Sequence, residues 1–230
     1  MGNPAHYSRE VPSRCLQLID GLWPHVEGLF QSDRRDLGPL TSTFLISMSY
    51  PIINLPIERI ERHHSKPDQA YADDRHVDPE LAATVWRDLG GQKLRKAPFF
   101  VSGMWSFCQS EVFNIAGGLP EQYAQILSSP EAHANAGELE TSKWCGALRN
   151  ALAHGGIAYL NEEGRYTYEA PVSMYLFASG RYRKEEEEDR PLLVGLNLLR
   201  IKESDYRDFL RMWVKWLQVS EIEATLDDAA

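Results

Sequence analysis

The chain changes its hydrophobic period once, sharply, at Gly155-Gly156. Ahead of that pair, Trp144, Ala147, Leu148, Ala151 and Leu152 recur three and four apart, the core stripe of an amphipathic helix over residues 138–154. Beyond it, Ile157-Ala158-Tyr159-Leu160, then Asn161-Glu162-Glu163-Gly164, then Arg165-Tyr166-Thr167-Tyr168 reads as a β-hairpin. Residues 174–178 and 192–201 supply further strands, joined by a charged loop over 181–190. A helix buries a stripe and a strand buries a face, so the fold must house both kinds of surface.

Elsewhere the pattern is helical. Residues 12–30 place Leu16, Ile19, Leu22, Trp23, Val26 and Phe30 on one side, with a kink expected at Pro24. Residues 41–64 form a second helical region, bent or broken near Pro51 and again near Pro56. Residues 68–78 are polar and read as a loop. Asp78-Pro79-Glu80 is a helix start, with Asp as N-cap and Pro at the first position, leading to Leu89 before Gly90-Gly91. Residues 92–117 are mostly helical by period, 120–127 a short helix and 128–137 a loop. Ser204-Asp205 caps a final helix whose Tyr206, Phe209, Leu210, Trp213, Trp216 and Leu217 face the core. At this helical spacing the tryptophans read as core rather than as a base-stacking platform. The expected fold is mainly α: one domain over residues 1–230, a helical bundle with a small β-hairpin or β-sheet insertion at 157–201 before the last helix.

A hydrophobic share of 43% over 230 residues is enough for a sizeable core. The net charge of −9 is concentrated: Glu185, Glu186, Glu187, Glu188 and Asp189 form one run and Asp227-Asp228 another. Without those seven carboxylates the remainder stands near −2. This disfavours a broad basic groove but leaves room for local contact with nucleic acid. The acidic run reads as a solvated loop. Cys15, Cys108 and Cys145 are odd in number and widely spaced, as free thiols in a reducing cytoplasm are. Met1 to Pro12 is too polar for a secretory signal, and the longest apolar segment, 40–57, is too short and too broken to span a bilayer.

The chemistry sits where the period changes. Asn150 and His154 are four apart and share a helix face, while Arg149 lies roughly 140° from His154 and reaches across on a flexible stem. The unpaired carbonyls of a helix end favour a cationic side chain there, and Gly155 suits the left-handed residue that ends the helix. A planar phosphate binder, an orienting amide and an imidazole are the parts of metal-free RNA cleavage. Polar residues are also ordinary on an exposed helix face. Arg59 and His64 repeat the arginine–histidine spacing with Ile60 in place of Asn and no glycine stop, so that spacing alone carries no weight. Glu58, Arg59, Glu61, Arg62, His63 and His64 cluster at one helix end. A metal held by Glu61, His64 and His76 would fit no standard zinc pattern. No glycine loop for nucleotide phosphates and no serine or cysteine hydrolase signature is present.

The segment Arg149-Asn150-Ala151-Leu152-Ala153-His154-Gly155 resembles the signature of the HEPN superfamily of helical nucleotide-binding and ribonuclease domains. The resemblance implies a homodimer that brings two motifs to one cleft, and metal-independent cleavage of RNA without a cofactor, as in toxin, defence and RNA-processing members. It marks His154 as general base or acid, Arg149 as the holder of the scissile phosphate and Asn150 as the orienting group. An antitoxin or regulatory protein is then a further expected partner. A non-catalytic HEPN module binding RNA, nucleotide or protein is the other reading.

Overall fold

The computed structural model describes residues 3–29, 40–62, 72–166, 171–183 and 191–227, with side chains up to residue 218. The chain divides into two compact units, one formed by Met1–Gln92, Ala97–Phe99 and Arg207–Ala230, the other by Lys93–Lys96 and Phe100–Tyr206.

The first unit is helical. It contains α1 (Tyr7–Leu29), α2 (Thr41–Pro56), a π-helical turn (Ile57–Glu61) and α3 (Pro79–Leu89), together with the part of α7 (Glu203–Asp227) from Arg207 onward. The helix α1 runs through both Pro12 and Pro24 and buries Cys15, Ile19, Trp23 and Val26. The helix α2 runs through Pro51, where a bend or break was expected, and after Pro56 the α-helical ladder gives way to the π turn. Asp78 caps α3, its side chain accepting from Leu81 N at 3.1 Å with Pro79 in the first turn. The carboxylates of the preceding loop tie the unit together. Asp74 accepts from Ser8 Oγ at 2.6 Å and from Arg59 Nη2 at 2.6 Å, and Asp78 takes Arg9 in a two-pronged pair at 2.9 Å. The aromatic residues of α7 are core: Trp213 donates to Ile52 O, Trp216 donates to Asp88 Oδ2, and both rings pack on Phe99 at about 5 Å.

The second unit is built on a four-stranded antiparallel sheet in the order β1-β4-β3-β2, from β1 (Trp105–Ser110), β2 (Ile157–Leu160), β3 (Met174–Arg183) and β4 (Leu192–Lys202). Among the described residues three α-helices accompany it: α4 (Glu121–Leu127), α5 (Pro130–Glu138) and α6 (Thr141–His154). Register assigns the faces. Trp105 pairs with Ile201 and Tyr175 with Ile201, so these residues share one face with Phe107, Leu199 and Phe177. That face carries α6, where Trp144 meets Trp105 edge-on at 5.2 Å, and the Tyr206 ring. The other face presents Cys108, Leu198, Leu176, Ala178, Ala158 and Leu160 to Tyr123, Ala124 and Leu127 of α4.

The architecture is therefore mixed α/β, which corrects the mainly α helical bundle expected from the sequence. The source of the difference is β1. It lies outside 157–201, inside a stretch whose period reads as helical, and pairs along its whole length with β4. Trp105-Ser106-Phe107-Cys108 is buried on both faces, so the polar half of the usual alternation is missing. The hairpin partner also differs. The Asn161–Gly164 turn forms, with Asn161 Oδ1 accepting from Glu163 N and Arg165 N. Yet the strand that β2 pairs with is 174–177, and the expected partner 165–168 lies only in part among the described residues. A strand beside a doubly covered sheet needs apolar residues on both sides; Leu176 and Phe177 provide them, whereas Arg165 pairs with Glu121.

Candidate functional site

The helix α6 forms because its apolar residues fall on one stripe and because two glycines stop it. Thr141, Trp144, Cys145, Ala147, Leu148, Ala151 and Leu152 are its buried residues. Gly155 takes the left-handed conformation, φ 69°, and sends its N–H back to Ala151 O. Gly156 is needed for a different reason. A Cβ there would stand 2.1 Å from Ala178 O, and Gly156 O accepts from Ala178 N at 2.7 Å. The end of α6 is thereby latched to β3.

One side of α6 walls a cavity of about 480 Å³ against the sheet. The helix contributes Lys143, Gly146, Ala147 and Asn150, two turns along one stripe. The sheet contributes Phe107, Gln109 and Asn197, with Arg181 and Tyr182 at the end of β3. Arg181 sits at a β-bulge and crosses β4 to reach β1: its Nη1 donates to Gln109 Oε1 at 2.7 Å and its Nη2 to Ser110 O at 3.2 Å. It crosses at Gly195, where a Cβ would come within 2.3 Å of Arg181 Nη2 and 2.4 Å of Ser110 O. Gln109 in turn donates to Asn197 Oδ1 at 3.3 Å. Among the described residues no carboxylate lines the cavity, and Arg181 has no carboxylate partner. Among the described residues Lys143 pairs with Glu140 at 3.0 Å, both side chains being exposed.

The motif residues separate on this scaffold. Asn150 is half-buried and lines the cavity. His154, one turn further along the same stripe, is exposed at the helix end and is not part of the cavity wall. Arg149 is half-buried, with its Nε enclosed, and is likewise outside the wall. Four polar cavity residues go beyond those the sequence singles out. Lys143, seven residues before Asn150, is legible as a same-face neighbour. Gln109, Arg181 and Asn197 are brought in by strand register, which no local pattern announces.

Compared with known proteins, the chain matches no family model, no curated protein and no solved structure.

The remaining candidates resolve into structural roles or lie outside the described residues. Arg59 is committed to Asp74 and to the Tyr7 ring at 4.8 Å. His63, His64 and the acidic run at 185–189 lie outside the described residues. Among the described residues, no group of three or more His, Cys, Asp or Glu side chains is gathered as metal ligands would be, and no helix is long and apolar enough to cross a membrane. On the opposite sheet face Arg200 is buried and caps α4, its Nη2 3.1 Å from Ser128 Oγ and its Nη1 3.5 Å from Ala124 O. Burial pushes the Arg200 pKa down, and it pushes the Cys108 thiol up to about 11.

Proposed function

We propose that this chain is a metal-independent endoribonuclease, working as a cytoplasmic homodimer, with α6 as the chemical element and the cavity beside it as the place where the RNA chain is held. The observation that carries the reading is the single stripe of α6: Lys143, Ala147 and Asn150 line a cavity to which the described residues bring no carboxylate, and His154 follows on the same stripe at an exposed helix end. A polyanion entering the cavity meets Lys143 and Arg181, and leaves along a path that passes the imidazole.

In the reaction the 2′-oxygen of a ribose bonds to the adjacent phosphorus while the bond from phosphorus to the 5′-oxygen breaks. One proton leaves the 2′-hydroxyl and one reaches the departing oxygen, giving a cyclic phosphate and a 5′-hydroxyl end. A single imidazole serves one of these transfers at a time. Two subunits presenting His154 to one substrate supply a base and an acid together. Arg149 offsets charge on the phosphate and Asn150 orients the chain. In this reading a cognate antitoxin or regulatory protein would restrain the activity.

The test is purified protein incubated with mixed RNA in excess chelator. Cleavage that vanishes in His154→Ala and persists in His64→Ala is expected; wild-type protein that cleaves no RNA would refute the proposal. A second reading has its own support. Arg149 is absent from the cavity wall, as it would be in a module that binds nucleotide or RNA without cutting it. RNA binding without turnover, unchanged in Arg149→Ala, would select that reading.

A further inference from the structure

The amides over the cavity have a fixed direction, and the direction sets which ligand edge they accept. Arginine has N–H donors and no acceptor, so the Gln109 atom facing Arg181 Nη1 at 2.7 Å is the amide oxygen. Gln109 is then left with its NH2, which donates to Asn197 at 3.3 Å, and the Asn197 atom that receives it is also oxygen. Asn197 ends the relay: it lines the cavity, and its NH2 has no partner among the described residues. Gly195 makes the relay possible, because any larger residue would bar Arg181 from crossing β4.

The chemistry of the wall follows. A carboxamide open at both ends matches adenine, donating to one ring nitrogen and accepting from the amino group. Asn197 has its oxygen turned to Gln109, so it can donate to a carbonyl oxygen or a ring nitrogen but cannot accept from an amino group. Lys143 adds donors, and among the described residues no carboxylate adds acceptors. Asn150, which has no hydrogen-bond partner at either end among the described residues, is neutral in this choice. At about 480 Å³ the cavity is within the range of small-ligand sites and larger than an isolated phosphate needs. The lining also holds two aromatic side chains, the buried Phe107 and the exposed Tyr182.

We infer that the cavity takes one unstacked base of a single-stranded RNA and selects the keto edge of uracil or guanine over the amino edge of cytosine or adenine, with Asn197 as the specificity-determining residue. The identity of the polymer rests on the ribonuclease reading; the edge preference rests on the relay from Arg181. The discrimination expected is that of one neutral hydrogen bond, about five- to tenfold.

The experiment uses the whole 230-residue chain and uncleavable 2′-O-methyl pentamers with one U, G, C or A at the centre of abasic flanks, with binding read by fluorescence anisotropy. Tighter binding of the U and G pentamers is expected, and Asn197→Asp, which exchanges the NH2 for an acceptor oxygen, should turn the ratio toward C and A even as the added charge lowers every affinity. Asn197→Ala, which holds neither group, should bind all four alike and checks that the effect is not one of folding. Four equal affinities in the wild type would overturn the inference, as would displacement of every pentamer by inorganic phosphate alone at the same concentration. RNA cleavage with no pentamer binding would remove the base pocket and leave the nuclease. Selective pentamer binding with no cleavage of any RNA would remove the nuclease and leave the pocket.

Discussion

Alanine at Gly155 and alanine at Gly156 should differ in cost, although the two glycines are neighbours at the end of one helix. Gly155 has φ 69° and open space, with nothing within 4 Å of the point its Cβ would occupy, so its substitution meets only the left-handed penalty, about 1–2 kcal/mol. Gly156 faces backbone. Its Cβ would stand 2.1 Å from Ala178 O, and opening that approach even to 3.0 Å separates the end of α6 from β3 by about 0.9 Å. The hydrogen bond from Ala178 N to Gly156 O, now 2.7 Å, would be lost at a cost of about 1 kcal/mol. Crowding of a packed segment adds roughly 1–3 kcal/mol. Gly156→Ala should therefore cost ~2–4 kcal/mol and Gly155→Ala about half as much. Urea unfolding followed by circular dichroism measures both. Hydrogen exchange in peptides covering 156–160 and 174–178 then shows whether the latch opens locally in Gly156→Ala. Equal or greater destabilisation by Gly155→Ala, with the exchange of 174–178 unchanged in Gly156→Ala, would refute the reasoning.

Three further outcomes are expected. Burial pushes the Asp74 carboxyl up, but hydrogen bonds from Arg59 and Ser8 outweigh it and hold the pKa below the ordinary 3.8. A depressed folded-state pKa gives stability that is present above the unfolded value and lost as pH falls through the folded one. Asp74→Asn should flatten acid unfolding below about pH 4, and an unchanged slope would count against it. Arg9→Met leaves Asp78 buried without its cation and should cost about 3–5 kcal/mol, whereas Arg200→Met leaves no carboxylate behind and should be near neutral by comparison; equal losses in thermal or urea unfolding would contradict that contrast. All three cysteines are buried, and a Cys108 pKa of about 11 leaves roughly one thiolate in a thousand at pH 8. Native protein should resist iodoacetamide at pH 8 and label at three sites in urea, read by mass spectrometry.

The local signals are legible in the sequence. Asp78-Pro79-Glu80 reads as a cap and is one, and Gly155 reads as a left-handed stop and is one. Ser129-Pro130-Glu131 carries the same cap signature: Ser129 Oγ accepts from Ala132 N at 3.2 Å and starts α5, in a stretch whose composition reads as a loop. There the information is present in the sequence and is outweighed by the small, polar character of 128–137. Trp105–Ser110 is a different case. Its two-residue alternation is blurred because both faces are buried, and its partner β4 lies some ninety residues away.

By itself, then, the sequence determines α6: a stripe of apolar residues, a polar stripe from Lys143 to His154, and a glycine stop, all set by hydrogen bonds and side-chain spacings within a few residues. What the polar stripe faces was decided only by the tertiary structure. Strand pairing depends on which apolar faces are buried together, and the pairing of β1 with β4 and of β4 with β3 is what sets Gln109, Asn197 and Arg181 opposite Asn150. The same packing leaves Arg149 outside that wall, a separation of sequence neighbours that follows from the turn of about 100° between adjacent helical residues.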